Sequence, residues 1–174
     1  MTQARAEKVL QAALDFEEKG RNFYRKTAEQ SNHPLSRTLF AALADDEVRH
    51  AERIREIHAA ESGPGTWPDP AGGRAEKLED AIRGFFANHR RELTPETDNV
   101  AGYEFAMRME RTGIELYSQF AREADGEGER RFFEALLREE QDHLEALQNV
   151  HAYLTQPGDW EQDEESRRWN WMNT

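Results

Sequence analysis

The chain has no cysteine among its 174 residues. That excludes structural disulfides, Cys-ligated zinc and iron–sulfur centres, and leaves the redox compartment open. No apolar run approaches the roughly 18 residues that a membrane span requires, and the first residues, Met1 to Lys8, contain no apolar signal core. A cytoplasmic protein with no membrane partner is therefore expected. Basic residues are the minority: 23 Lys and Arg against 35 Asp and Glu give a formal net charge of −12. Nucleic acid is a poor partner for such a surface, because phosphates are neutralised by basic groups. Divalent cations are attracted to it. Helix breakers are also sparse, and between Gln3 and Gln30 the only one is Gly20.

What is present is a repeat. Glu47-Val48-Arg49-His50 and Glu140-Gln141-Asp142-His143 are both Glu-x-x-His, 93 positions apart. On a helix, residues i and i+3 share a face, so each Glu and His can reach one point in space. The same offset carries Ala13 onto Ala106, Glu17 onto Glu110, Gly20 onto Gly113, Tyr24 onto Tyr117 and Ala28 onto Ala121. It continues through Phe40 and Phe133, Leu43 and Leu136, Glu52 and Glu145, His58 and His151, and Ala59 and Ala152, without a gap. The chain holds two copies of one helix pair, each bringing a lone Glu and a Glu-x-x-His.

With 37% hydrophobic and 33% charged residues, the composition suits long amphipathic helices around one core. The first helix, about Gln3 to Gln30, carries a stripe of Leu10, Ala13, Phe16, Glu17, Gly20, Tyr24 and Ala28 at steps of three and four. Glu18 competes with Glu17 for the inward position, but the repeat maps Glu17 to Glu110 and Glu18 to Arg111. Gly20 costs roughly 1 kcal/mol of helix propensity relative to Ala, and its recurrence as Gly113 suggests close approach of a facing helix, or room left beside the metals. Ser31-Asn32-His33-Pro34 is a turn with helix-start chemistry. A second helix runs from about Leu35 to Ala60 with Leu39, Phe40, Leu43, Glu47, His50 and Ile54 inward. Glu61 to Gly73 has linker composition, and an amphipathic segment from about Arg74 to Leu93 carries Leu78, Ile82, Phe85 and Phe86. Thr94-Pro95 opens the third helix, with Phe105, Met109, Glu110, Gly113, Tyr117 and Ala121 expected inward as far as about Ala124. After the turn at Asp125-Gly126-Glu127-Gly128, a fourth helix spans about Glu129 to Leu154 with Phe133, Leu136, Glu140, His143 and Leu147 inward. The expected fold is all-α: a four-helix bundle of two repeated hairpins (about residues 4–62 and 97–155) joined by a long crossover at 63–96. Residues 1–155 form the bundle and 156–174 a C-terminal extension holding Trp160, Trp169 and Trp171.

Four inward glutamates and two inward histidines on four helices are the inventory of a dinuclear carboxylate-bridged metal site. Four carboxylates and two neutral imidazoles balance two divalent cations, whereas four uncompensated carboxylates would repel one another and take up protons. Oxygen-rich ligation with one imidazole per ion suits iron, with manganese as the alternative, and not structural zinc. The expected ligands are Glu17, Glu47, His50, Glu110, Glu140 and His143, with Glu47 and Glu140 bridging and Glu17 and Glu110 terminal.

Glu17-x-x-Gly20-x-x-Phe23-Tyr24 followed by Glu47-x-x-His50, both repeated, resembles the rubrerythrin branch of the ferritin-like superfamily over roughly residues 6–155. The resemblance implies two iron ions per chain, reaction with hydrogen peroxide or dioxygen, and a homodimer. It also sets Tyr24 and Tyr117 close to the metals, where they hydrogen-bond a ligand carboxylate or donate an electron. The sequence departs from that family at three points. Without cysteine there is no rubredoxin-type iron, so an external electron donor is required. Gly113 stands where rubrerythrins carry an additional Glu, so their redox-linked ligand exchange has no counterpart residue. Val48 stands where the haem-ligating Met of bacterioferritin would be, which argues against haem. A rival to the redox enzyme is an iron-binding, ferroxidase-type or storage protein. His58 and His151 lie eight residues past the ligand histidines, roughly 12 Å along a helix axis, too far to share the same ions. His33 and His89 have no counterpart in the repeat and are expected at the surface.

Overall fold

The computed structural model describes residues 3–59, 67, 78, 82, 84 and 100–155. Four long helices account for them, apart from short turns and the isolated residues: α1 at Gln3–Gln30, α2 at Pro34–Ala59, α3 at Val100–Arg122 and α4 at Glu127–Thr155. The α1 and α2 helices pack along their length as one hairpin, α3 and α4 as the other, with lighter contact between hairpins. No helix among the described residues is long and apolar enough to cross a membrane.

Each helix carries its apolar stripe in two stretches with a polar break between them. One core cluster takes Tyr24 from the end of α1, Leu35, Leu39, Phe40 and Leu43 from the start of α2, Tyr103 and Ala106 from α3, and Leu147, Val150 and Leu154 from the end of α4. The other takes Val9, Leu10 and Ala13 from α1, Ile54 from α2, Tyr117, Phe120 and Ala121 from α3, and Phe132, Phe133 and Leu136 from α4. The break falls at Glu17 in α1, Glu47 and His50 in α2, Glu110 in α3, and Glu140 and His143 in α4. The bundle thus holds a buried polar layer between two apolar ones.

Of the crossover, Leu78 and Ile82 lie on helical backbone and are buried against the first cluster. Trp67 packs against Phe132 and Phe133, tilted to the one and edge-on to the other, at ring-centroid distances of 5.6 and 5.8 Å. A Cβ at Gly128 would come within 3.0 Å of Trp67, so the start of α4 must be bare where the crossover passes. The expectations for Phe85, Phe86, His89 and residues 156–174 lie outside the described residues.

Two expectations are overturned. Phe105 is 45% exposed, and Tyr103 and Ala106 are buried in its place. The inward register of α3 is Tyr103, Ala106, Glu110, Gly113, Tyr117, and Phe105 lies about a third of a turn from its centre. Its ring instead lies against partly buried Phe23 at 4.6 Å, under the Arg108 guanidinium. His33 is buried, because it caps α2: the Leu35 amide donates to its Nδ1 at 3.2 Å and its carbonyl accepts from the Arg37 amide. The imidazole supplies the acceptor that Ser or Asp more often provides.

These placements separate two phenylalanines of equal size. Phe40→Ala is expected to destabilise the protein by about 3–5 kcal/mol, and Phe105→Ala by about 1 kcal/mol or less. Urea denaturation followed by circular dichroism measures both. Equal losses would contradict the α3 register.

Candidate metal centre

Helix periodicity delivers the six polar side chains of the middle layer to one place. Glu17, Glu47, His50 and Glu140 form one set of four in which a ligand atom from each lies within 4.8 Å of the others. Glu47, Glu110, Glu140 and His143 form a second. All six residues are at most 2% exposed. Glu47 and Glu140 belong to both sets, and their oxygens divide between them. Nδ1 of His50 lies 3.4 Å from Oε1 of Glu140 and 3.7 Å from Oε2 of Glu47. Nδ1 of His143 lies 4.0 Å from Oε2 of Glu140 and 3.8 Å from Oε1 of Glu47. Each of these carboxylates therefore offers one oxygen to each side. Glu17 Oε2 adds to the His50 side at 3.1 Å, and Glu110 Oε1 to the His143 side at 3.7 Å. The two imidazoles are nearly parallel, their centroids 5.5 Å apart.

Glu18, the competitor of Glu17 in the sequence, pairs instead with Arg55 at the surface, at 2.7 Å. Gly20 and Gly113 face the two shared carboxylates. A Cβ at position 20 would lie 3.1 Å from the carboxyl carbon of Glu47. One at position 113 would lie 3.0 Å from Oε2 of Glu140 and 2.9 Å from the ring of Phe16. The propensity cost of a mid-helix glycine is thus the cost of seating a carboxylate against the neighbouring backbone.

Tyr24 and Tyr117 are fully buried and cross between hairpins. The Tyr24 hydroxyl donates to Oε1 of Glu110, and the Tyr117 hydroxyl to Oε1 of Glu17. Burial pushes both phenols well above their ordinary range, and the carboxylates beside them, Glu110 for Tyr24 and Glu17 for Tyr117, push the same way. Both stay protonated and remain donors.

A second layer surrounds the imidazoles. Nε2 of His50 donates to Oε2 of Glu139 at 2.6 Å, and Nε2 of His143 to Oδ2 of Asp46 at 3.2 Å. Burial pushes Glu139 up, but the hydrogen bond from His50 and the Arg53 guanidinium more than offset it and bring its pKa to about 2. Sequence reasoning missed this pair because Asp and Glu do not match under strict identity. The signal was available: an acidic residue immediately precedes each Glu-x-x-His, and positions 46 and 139 differ by the same 93.

Without a cation the cage is electrostatically unresolved. Oε2 of Glu47, Oε2 of Glu110, both carboxylate oxygens of Glu140 and Nδ1 of His143 are buried with no hydrogen-bond partner. Buried polar atoms without partners cost about 1–3 kcal/mol each, more if charged. Here they converge on shared points, as a site for cations requires. Burial, with Glu17 next, pushes Glu47 well above its ordinary range, and burial with Glu110 does the same to Glu140. For Glu17 and Glu110 burial also pushes up, but His50 beside the one, and Glu140 and His143 beside the other, bring the net direction down. Burial alone would lower both histidines, yet Glu17 and Glu139 raise His50, and Glu110 raises His143. The donor set, carboxylate oxygens with one imidazole nitrogen per position, fits iron or manganese.

A family model described as Rubrerythrin matches residues 8–151 of the chain. No curated protein and no solved structure matches.

A pH dependence follows for the metal-free protein. The raised carboxyls of Glu47 and Glu140 bind protons in the folded state above 4.5, where the unfolded chain releases them. Protonated His50 and His143 confer stability that is complete below 6.5 and lost as pH climbs through their raised folded values. Both effects lower stability as pH rises, while the lowered Glu17, Glu110 and Glu139 withdraw theirs below 4.5. The thermal midpoint of metal-free protein is expected to peak near about pH 4.5–5 and to fall toward about pH 8, whereas bound metal replaces the protons and widens its stabilisation over the same interval. Circular dichroism melts across pH, with and without metal, measure this. A metal-free midpoint that rises between about pH 6 and 8 would contradict it.

Proposed function

The chain belongs to the rubrerythrin family, and from that premise we propose that it is a di-iron carboxylate oxidoreductase that reduces hydrogen peroxide or dioxygen. The observation that carries this reading is the sharing of Glu47 and Glu140 between two four-residue donor sets. Glu47 and Glu140 would bridge two irons per chain. Glu17 with His50 would complete one position, and Glu110 with His143 the other. When bound, the two irons supply two reducing equivalents and Lewis acidity.

The protein's own part is positioning and proton control. Tyr24 and Tyr117 each fix one oxygen of a terminal carboxylate and hold a phenolic proton at that oxygen. Tyr117 leaves Oε2 of Glu17 turned toward His50, 3.1 Å away. Glu139 and Asp46 hold the outer nitrogens of the imidazoles, so that both rings keep Nδ1 directed into the cage. The apolar layers on either side, with Phe40 and Leu43 above and Phe133 and Leu136 below, keep bulk water out. Reduction of peroxide to two waters consumes two electrons and two protons, and with no cysteine in the chain the electrons come from a separate donor. A cytoplasmic homodimer is the setting we propose.

Gly113 favours a fixed set of six ligands. A side chain there would collide with Glu140 and Phe16, so the additional Glu of the family resemblance has no room in this packing.

Anaerobic iron(II) titration followed by stopped-flow mixing with peroxide, and separately with dioxygen, tests the proposal. Two irons per chain, oxidised faster by peroxide and re-reduced by an added donor, are expected. Glu47→Ala and Glu140→Ala abolish two-iron binding, and Glu18→Ala does not. Equal loss from all three would overturn the ligand assignment. Many irons taken up per chain with no turnover would favour the storage protein.

A further inference from the structure

The two halves of the cage are related by the repeat, but their outer supports are not. On the His50 side, Glu139 reaches from α4 to Nε2 of His50 on α2 at 2.6 Å. Arg53, one turn beyond His50 on the same helix, grips both oxygens of that carboxylate: its two terminal nitrogens donate to Oε1 at 3.0 Å and to Oε2 at 2.7 Å. His50 and Arg53 thus hold Glu139 from one helix face, and the bidentate pairing fixes its plane as well as its place.

Among the described residues, the other side lacks this clamp. Ninety-three positions on from Arg53 stands Ala146, which is buried and has no donor to offer. Ninety-three positions before Glu139 stands Asp46, one methylene shorter. It meets Nε2 of His143 at the longer distance of 3.2 Å. Its cationic partner is Arg49, which comes from Asp46's own helix and is 40% exposed, so that pairing ties nothing across the hairpins. The cage follows suit. Nδ1 of His50 has its three carboxylate neighbours at 3.1, 3.4 and 3.7 Å, against 3.7, 3.8 and 4.0 Å around His143.

We propose that Arg53 and Glu139 are positioning residues that make the His50 position the tighter and first-filled of the two, an inference that rests on the dinuclear reading above. A ring already held in its ligating orientation loses less freedom when a cation arrives, so preorganisation becomes affinity. The two positions are then loaded in order.

The test uses the full chain, metal-free and labelled with nitrogen-15 at histidine, with diamagnetic zinc(II) as the probe. The first equivalent is expected to shift the ring resonances of His50 and the second those of His143. Glu139→Ala should weaken the His50 position by roughly 10- to 100-fold and the His143 position by less than about threefold, so that the order merges or reverses. Arg53→Met should erase the preference while leaving two ions bound, and Glu139→Asp should restore part of it. A purely structural role would instead lower the metal-free thermal midpoint and weaken both positions together, which would overturn the proposal. Parallel response of the two rings in the unaltered protein would also overturn it while leaving the dinuclear centre standing. Absence of binding in the cage by zinc(II) and by iron(II) alike would overturn both.

Discussion

Four glutamates share the middle of one helical bundle, each at most 1% exposed, and their mutual repulsion is the constraint to which the surrounding structure answers. Two unit charges 4 Å apart at an effective dielectric of about 20 interact by roughly 4 kcal/mol, and the cage contains several such pairs. That repulsion rivals the whole stability of a domain, on the order of 5–15 kcal/mol. The charge must therefore be met by cations, or by protons when cations are absent. The direction in which each group titrates expresses the second outcome, with Glu47, Glu140 and the two histidines all shifted toward their protonated forms. The partnerless oxygens of Glu47, Glu110 and Glu140 express the first.

Seen from that constraint, features that look unrelated have one cause. The apolar stripes break at the same level on all four helices, and two separate cores form where one would be usual. The mid-helix glycines at 20 and 113 forgo a Cβ because a carboxylate occupies its space. The buried tyrosines donate across the hairpins to Glu110 and Glu17, and the outer carboxylates Asp46 and Glu139 take the outward protons of the imidazoles. Repetition gives the pattern its approximate twofold character. Arg53, facing Ala146 in the repeat register, breaks it.

Much of this was legible in the sequence, because periodicity and a gapless repeat constrain it twice. The three-and-four spacing gave the helices within a few residues, and the 93-residue offset chose Glu17 over Glu18 where spacing alone could not. Glu47 and Glu140 are expected from the sequence to bridge, and in the structure both belong to the two four-residue donor sets. What escaped did so for physical reasons. Hydrophobicity favours Phe105 as an inward residue, but the register that buries Glu110, Gly113 and Tyr117 gives that face to Tyr103 and Ala106. His33 has no partner in the repeat, which favours the surface, yet capping is a local backbone need that a repeat does not report. Arg53 has no signal in the sequence, because its role depends on a contact between α2 and α4, 86 residues apart, that neither the repeat nor the spacing along one helix reports.

The dinuclear proposal is that one cage holds two cations through the two carboxylates that its donor sets share. Its most direct test is the anomalous scattering of iron in crystals loaded anaerobically with iron(II). Two peaks between the helices, each contacted by one oxygen of Glu47 and one of Glu140, with His50 on one and His143 on the other, are the expected result. A single peak held by one set alone, or iron at the surface with the cage carboxylates still facing one another, would contradict it.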